Sequence, residues 1–174
     1  MAKDRVTGDW IYVSDSDAEK LIKAATDRWR LPFKLLFHYG LRCSEVLAIT
    51  PAHIKEGCLV LPRLKHGTTP HLHLVDAIRD ELLALCAMKD AGTLLFPFSR
   101  KAAWRAMRDA GNRAQVDPRV CHPHAMRHRF GRVLARKGAS ANQLMALMGH
   151  RSLRASLMYT SIAADEALSR QFLG

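Results

Sequence analysis

Arg42, Lys65, His124, Arg127, His150 and Tyr159 are polar residues that no packing need explains, and together they offer three cations, two imidazoles and one phenol. His124 and Arg127 stand as H-x-x-R, and Tyr159 follows His150 by nine positions. Such an inventory suits attack on a phosphodiester without a metal. The pentacoordinate transition state spreads extra negative charge over the non-bridging oxygens, and preorganised cationic donors stabilise it. Arginine is the fitting donor, because its planar fork grips two oxygens and stays protonated. Arg42 and Arg127 supply two forks, and His150 a further hydrogen bond. A free phenol titrates only at about pH 10, so Tyr159 needs a base or a cationic field near neutrality. His124 is the candidate base, with the arginines lowering the phenol pKa by proximity. Lys65 can protonate the departing oxygen. Glu45, one helical turn from Arg42, is expected to orient that guanidinium, and His128 to brace the site from behind.

Each residue also has a bland explanation. Arg42 after Gly40 can cap a helix, His124 and His128 at i, i+4 can simply share a helix face, and a lone tyrosine is usually half-buried packing. Taken singly, these bland explanations are the stronger ones.

The elements that must position these residues are mostly helical. Ser16 with Glu19 reads as a capping box opening a helix, and Trp29 to Tyr39 forms a second that stops at Gly40. Leu41 to Ile49 gives a short third helix with Arg42 near its start. Short runs at His53–Lys55, Cys58–Leu61 and His71–Leu74, separated by Glu56-Gly57 and Lys65-His66-Gly67, predict a small antiparallel sheet. Lys65 falls at or beside the second turn. Asp76 to Met88 is helical, with Ile78, Leu82, Leu83 and Leu85 inward. Ser99 to Ala114 is a basic amphipathic helix in which Trp104 and Met107 pack. Pro123 suits the first turn of a helix over His124 to Lys137, ended by Gly138. Ser140 with Gln143 caps Ala141 to Met148. Ser152 to Met158 is a short helix delivering Tyr159, and Ala163 to Phe172 a last one. The fold class is therefore mainly α with a small antiparallel β-sheet: residues 1–13 a lead-in, residues 14–174 one domain.

The 174 residues suffice for a sizeable core. No apolar run reaches bilayer length and the first residues carry no signal-peptide core, so a cytoplasmic protein is expected. The net charge is +11, concentrated between Arg100 and Lys137, where only Asp109 and Asp117 oppose the cations. Such a stretch can meet a polyanion, usually nucleic acid, or can simply be a solvated helix face; Arg100, Lys101, Arg105 and Arg108 are the candidate DNA contacts if the first reading holds. Cys43, Cys58, Cys86 and Cys121 never form C-x-x-C and read as reduced, mostly buried thiols. Cys121, His122, His124 and His128 crowd together, but no second ligand pair accompanies them, so no metal site and no cofactor are expected.

The set resembles the signature of the tyrosine recombinase (phage integrase) family, over about Ser14 to Ala167. The resemblance implies the tyrosine recombinase catalytic-domain fold. It also implies site-specific cutting and rejoining of DNA through a 3′-phosphotyrosine at Tyr159, independent of metal and ATP, with Arg42, Lys65, His124, Arg127 and His150 assisting. Typical members carry an N-terminal core-binding domain that completes a clamp, and this chain is expected to lack it. It looks like short members such as the fimbrial phase-switch invertases, which share HPH before the second arginine and GHR before the tyrosine. Half a clamp implies more salt-sensitive binding, or help from an accessory DNA-bending protein, and assembly as a dimer or tetramer on DNA. Arg129 stands where the family usually has Ser or Thr, and Gly131 where Ala is common. Two other functions fit the same face: a catalytically quiet DNA-binding regulator, and a relaxing enzyme of the type IB topoisomerase kind.

Overall fold

The computed structural model describes residues 2–3, 10–61, 71–150 and 152–173. Lys65 and the expected turn at 65–67 lie outside the described residues. Two short strands, β1 (Ala2–Lys3) and β2 (Trp10–Ile11), pair antiparallel in the lead-in. Helix α1 (Asp15–Lys23) starts two residues earlier than the Ser16 box suggests. Its cap is Ser14, whose Oγ accepts from the Asp17 N–H at 3.0 Å, and Asp15 and Asp17 set negative charge in the first turn.

Helix α2 (Asp27–Tyr39) ends at Gly40, which takes φ +58°. A Cβ at that position would also fall on the Phe130 ring, so glycine is required twice over. Helix α3 (Cys43–Leu47) follows with Arg42 at its N-cap. Strands β3 (Ile54–Lys55), β4 (Cys58–Val60) and β5 (His71–His73) form an antiparallel sheet in the order β3-β4-β5. The β3–β4 turn places Glu56 and Gly57 at φ +48° and +74°, the paired positive values of a tight hairpin.

Helix α4 (Asp76–Cys86) buries Ile78 and Leu82, whereas Leu83 and Leu85 are exposed. The buried pair at i, i+4 fixes the inward face, and the other two leucines fall outside that narrow stripe. Helix α5 (Arg100–Ala114) buries Ala103, Met107 and Ala110, leaving Trp104 outside the core. Helix α6 (Pro123–Arg136) begins with proline at its first position, and α7 (Ala141–Met148) keeps the expected Ser140–Gln143 box.

The largest departure is at the C-terminal side. In place of two short helices, α8 (Leu153–Leu173) runs unbroken, with Tyr159 inside it. Residues 159–162 contain neither Gly nor Pro, and Thr160 and Ser161 donate back to the Leu157 and Met158 carbonyls at 3.0 and 3.2 Å, within the helical ladder. Helix α6 packs on α2 on one side and on α7 and α8 on the other. Two apolar clusters result. The larger joins α1 to α6, and the smaller gathers Ala135, Leu144, Met148 and Tyr159. The four cysteines are free thiols, Cys121 buried and the others half-buried. Among the described residues no helix is long and apolar enough to cross a membrane.

Candidate nucleic-acid interface and nucleophile niche

Helix α6 organises the site because His124, Arg127, His128 and Gly131 recur at i, i+3, i+4 and i+7. The α6 N-terminus is capped by His122, whose Nδ1 accepts from the Ala125 N–H at 3.1 Å. Just beyond it lies a cleft of about 570 Å³, lined in part by Arg42, Arg100, Lys101, Trp104, His124 and Arg127. The structure thus brings both predicted arginines and the first histidine to one surface.

The arginines are held by the ends of other helices. Arg127, 3% exposed, donates from Nη1 to the Gly40 carbonyl at 2.6 Å and from Nη2 to the Met148 carbonyl. Arg42 donates from Nη2 to the Gly149 carbonyl at 2.7 Å and from Nη1 to Glu45 Oε1 at 2.7 Å, while Glu45 Oε2 accepts from the Arg42 backbone N–H. These carbonyls belong to the C-termini of α2 and α7, where unsatisfied acceptors and the helix dipole both favour a cation. Glu45 therefore meets Arg42 twice, side chain and backbone.

Tyr159 lies elsewhere. It is 2% exposed, and its hydroxyl shares a hydrogen bond of 2.7 Å with His128 Nδ1. Its ring stacks on His150 with centroids 5.9 Å apart and planes 11° from parallel. His150 Nδ1 in turn meets the Ser156 hydroxyl at 2.8 Å. A Cβ on Gly131 would come within 2.9 Å of the Tyr159 ring, so the missing methyl makes the space the ring occupies. Sequence reasoning missed Gly131, Ser156 and the exposed Trp104. A signal for the first two was present: Gly131 extends the His124–His128 face, and Ser156 lies one turn before Tyr159.

The electrostatics of cleft and niche differ. Burial raises the Tyr159 phenol to about 12, with Arg127 opposing the shift. Burial, then the neighbouring His124, lowers His128 to about 3. Desolvation on its packed side, then Arg127, lowers His124 to about 4 although the residue is exposed at the cleft. The rings of His124 and His128 meet edge to face, with centroids 4.2 Å apart. Burial raises the phenol and lowers the imidazole, so both shifts oppose moving the Tyr159 proton to His128 in place. His128 holds the phenol; it does not ionise it there.

Among the predicted DNA contacts, Arg100 and Lys101 reach the cleft and Arg105 is exposed. Arg108 turns back, donating to the Pro118 carbonyl at 3.2 Å with its guanidinium 5.0 Å from the Trp104 ring centroid. The Cys121 thiol points inward to the Asp117 carbonyl at 3.2 Å.

Comparisons with known proteins agree on one family. The profile of the Phage integrase family matches residues 12–166. The type 1 fimbriae regulatory protein FimB of Escherichia coli K12 is 29% identical over 92% of each chain. The related protein FimE of the same strain is 31% identical, covering 73% of this chain and 71% of its own. The crystal structure of XerA recombinase superposes with a TM-score of 0.76 at 22% identity, covering 94% of this chain and 66% of that one.

Proposed function

This chain belongs to the phage integrase family, and we propose that it is a site-specific recombinase that cuts and rejoins double-stranded DNA through Tyr159. The observation that carries the reading is the convergence of Arg42, His124 and Arg127 on one cleft, with Tyr159 packed on the same helix that presents two of them.

In this reading the scissile phosphate enters the cleft and accepts hydrogen bonds from the Arg42 and Arg127 guanidinium groups. Tyr159 leaves its niche to reach it, breaking the hydrogen bond to His128. The phosphate charge raises the depressed His124 pKa toward neutrality, so this imidazole becomes competent to take the phenolic proton. The phenolate oxygen bonds to phosphorus, and the bond from phosphorus to the 5′ oxygen breaks. Lys65 gives that oxygen its proton, and His150 adds a donor to the phosphate. The products are a 3′-phosphotyrosine and a free 5′ hydroxyl. A 5′ hydroxyl attacking the same phosphorus reverses the step, so rejoining consumes no nucleotide. Copies of the chain assembled on DNA bring the recombining sites together, with an accessory DNA-bending protein shaping the duplex. Because such assembly acts on chromosomal DNA, the chain works in the cytoplasm. Residues 14–174 serve as one catalytic domain in this scheme.

The test requires no knowledge of the target site. Sheared DNA from the source organism is incubated with the protein, denatured, and assayed for DNA covalently bound to protein. The reading expects an adduct that vanishes in Tyr159→Phe. Equal DNA retardation by both proteins, with no adduct from either, would establish a quiet DNA-binding regulator instead. Relaxation of arbitrary supercoiled plasmid by the monomer would point to a relaxing enzyme.

A further inference from the structure

Trp104 departs from its expected place in the core: it is 48% exposed and forms part of the cleft wall beside Arg100 and Lys101. Arg100, Trp104 and Arg108 recur at i, i+4 and i+8, so they form one stripe along α5. Arg108 braces the indole from behind at 5.0 Å and is itself fixed to the Pro118 carbonyl. One flat apolar face is thereby held at the rim of a cleft that Arg42, Arg100, Lys101 and Arg127 also line. Leaving so large an aromatic surface in water forgoes stabilisation of about 25 cal/mol per Å², a loss that a ligand can reverse.

A ligand matching both walls has an anionic group next to a compact apolar one. A nucleotide is such a ligand: phosphate for the guanidinium forks, deoxyribose for the ring. In a duplex the base faces are already stacked, so the sugar is the apolar surface offered beside each phosphate. We propose that Trp104 is a positioning residue that packs on the deoxyribose adjoining the phosphate in the cleft, setting which phosphate of the strand is engaged. The inference rests on the DNA-cutting reading above. It requires only DNA binding for its primary test.

Binding of a short labelled duplex is measured across a salt series for the wild type, Trp104→Ala, Trp104→Phe and Arg100→Gln. Apolar contact and counterion release separate cleanly in such a series, because only lost phosphate contacts change the slope of affinity against salt. Trp104→Ala is expected to weaken binding on the order of tenfold at every salt concentration with the slope unchanged. Trp104→Phe should restore most of it, and Arg100→Gln should flatten the slope. The loss should persist when the duplex carries an abasic nucleotide at any one position, since the sugar remains.

Three results would overturn the proposal. One is unchanged binding in Trp104→Ala. Another is a changed salt slope, which would mean that the ring acts only by holding the cations. The third is a loss confined to duplexes with intact bases, which would make the base the contact. Absence of a Tyr159 adduct alongside the expected binding pattern would refute the cutting reaction and leave the Trp104 contact standing.

Discussion

The cleft and the niche flank the same helix, yet they treat polar groups in opposite ways. On the cleft side His124 is exposed, and Arg42 presents a partly exposed guanidinium beside Arg100 and Lys101. On the niche side Tyr159 and His128 are buried against each other, among Leu144, Met148 and Gly131. Water and cations make the first surface ready for a phosphate. Exclusion of water makes the second hold a phenol neutral, with its pKa near 12. In the proposed reaction, reactivity is therefore a matter of location: Tyr159 is held neutral where it rests and would become a nucleophile only in the field of the cleft.

The most severe way to break this contrast is to remove the oxygen that the proposed reaction sends to the cleft. Tyr159→Phe should abolish the covalent DNA adduct, fully, while DNA retardation on gels stays within about twofold, because apolar packing and the cationic cleft both persist. A second variant pair sharpens the comparison. Arg42→Lys and Arg127→Lys should each slow adduct formation by about a hundredfold or more, as loss of a preorganised fork does. Only Arg127→Lys should also lower the chemical denaturation midpoint clearly. Its guanidinium joins the Gly40 and Met148 carbonyls from a buried position, whereas Arg42 is partly exposed.

Gly131→Ala alters the niche alone. The new methyl gains about 1 kcal/mol of helix propensity and meets the Tyr159 ring at 2.9 Å, so net stability should change little while the ring is displaced. Ultraviolet titration should then show a phenol moved down from about 12, as judged against Tyr159→Phe.

The remaining effect is with acid. His124 and His128 are depressed to about 4 and about 3 in the fold, so the unfolded chain binds protons first as pH falls below about 6.5. Stability contributed by these neutral rings is complete above that pH and is lost progressively toward pH 4 and below. Denaturation midpoints measured across this range should fall, and His128→Asn should flatten the decline.

The helices were legible because their signals are local. Gly40 stops α2, Pro123 starts α6, and Ser140 with Gln143 frames α7, each through backbone hydrogen bonds satisfied within a few residues. The grouping of Arg42, His124 and Arg127 was also readable, since the H-x-x-R spacing fixes two of them on one helix face. The position of Tyr159 was not. Its burial depends on a methyl that Gly131 lacks and on His128, which no spacing rule reveals as its partner. Trp104 was misread for a related reason. One step along α5 from Ala103 turns a side chain by about 100°, and an aromatic residue in an amphipathic helix invites the wrong face. The α8 helix ran on through residues 159–162 because hydroxyl side chains there bond within the helix rather than ending it.

Three consecutive residues where α7 ends carry an unusual share of connections. The Met148 carbonyl receives one guanidinium, the Gly149 carbonyl receives the other, and the His150 ring lies along the phenol. In the proposed reaction Tyr159 leaves its niche, and this junction is the nearest place at which α8 could turn. The stroke that frees the nucleophile would then tug both cations in the same instant, so weapon and target-holder are geared together rather than adjusted one at a time. Lengthening that junction by a residue would uncouple the gears while leaving every participating side chain in the chain.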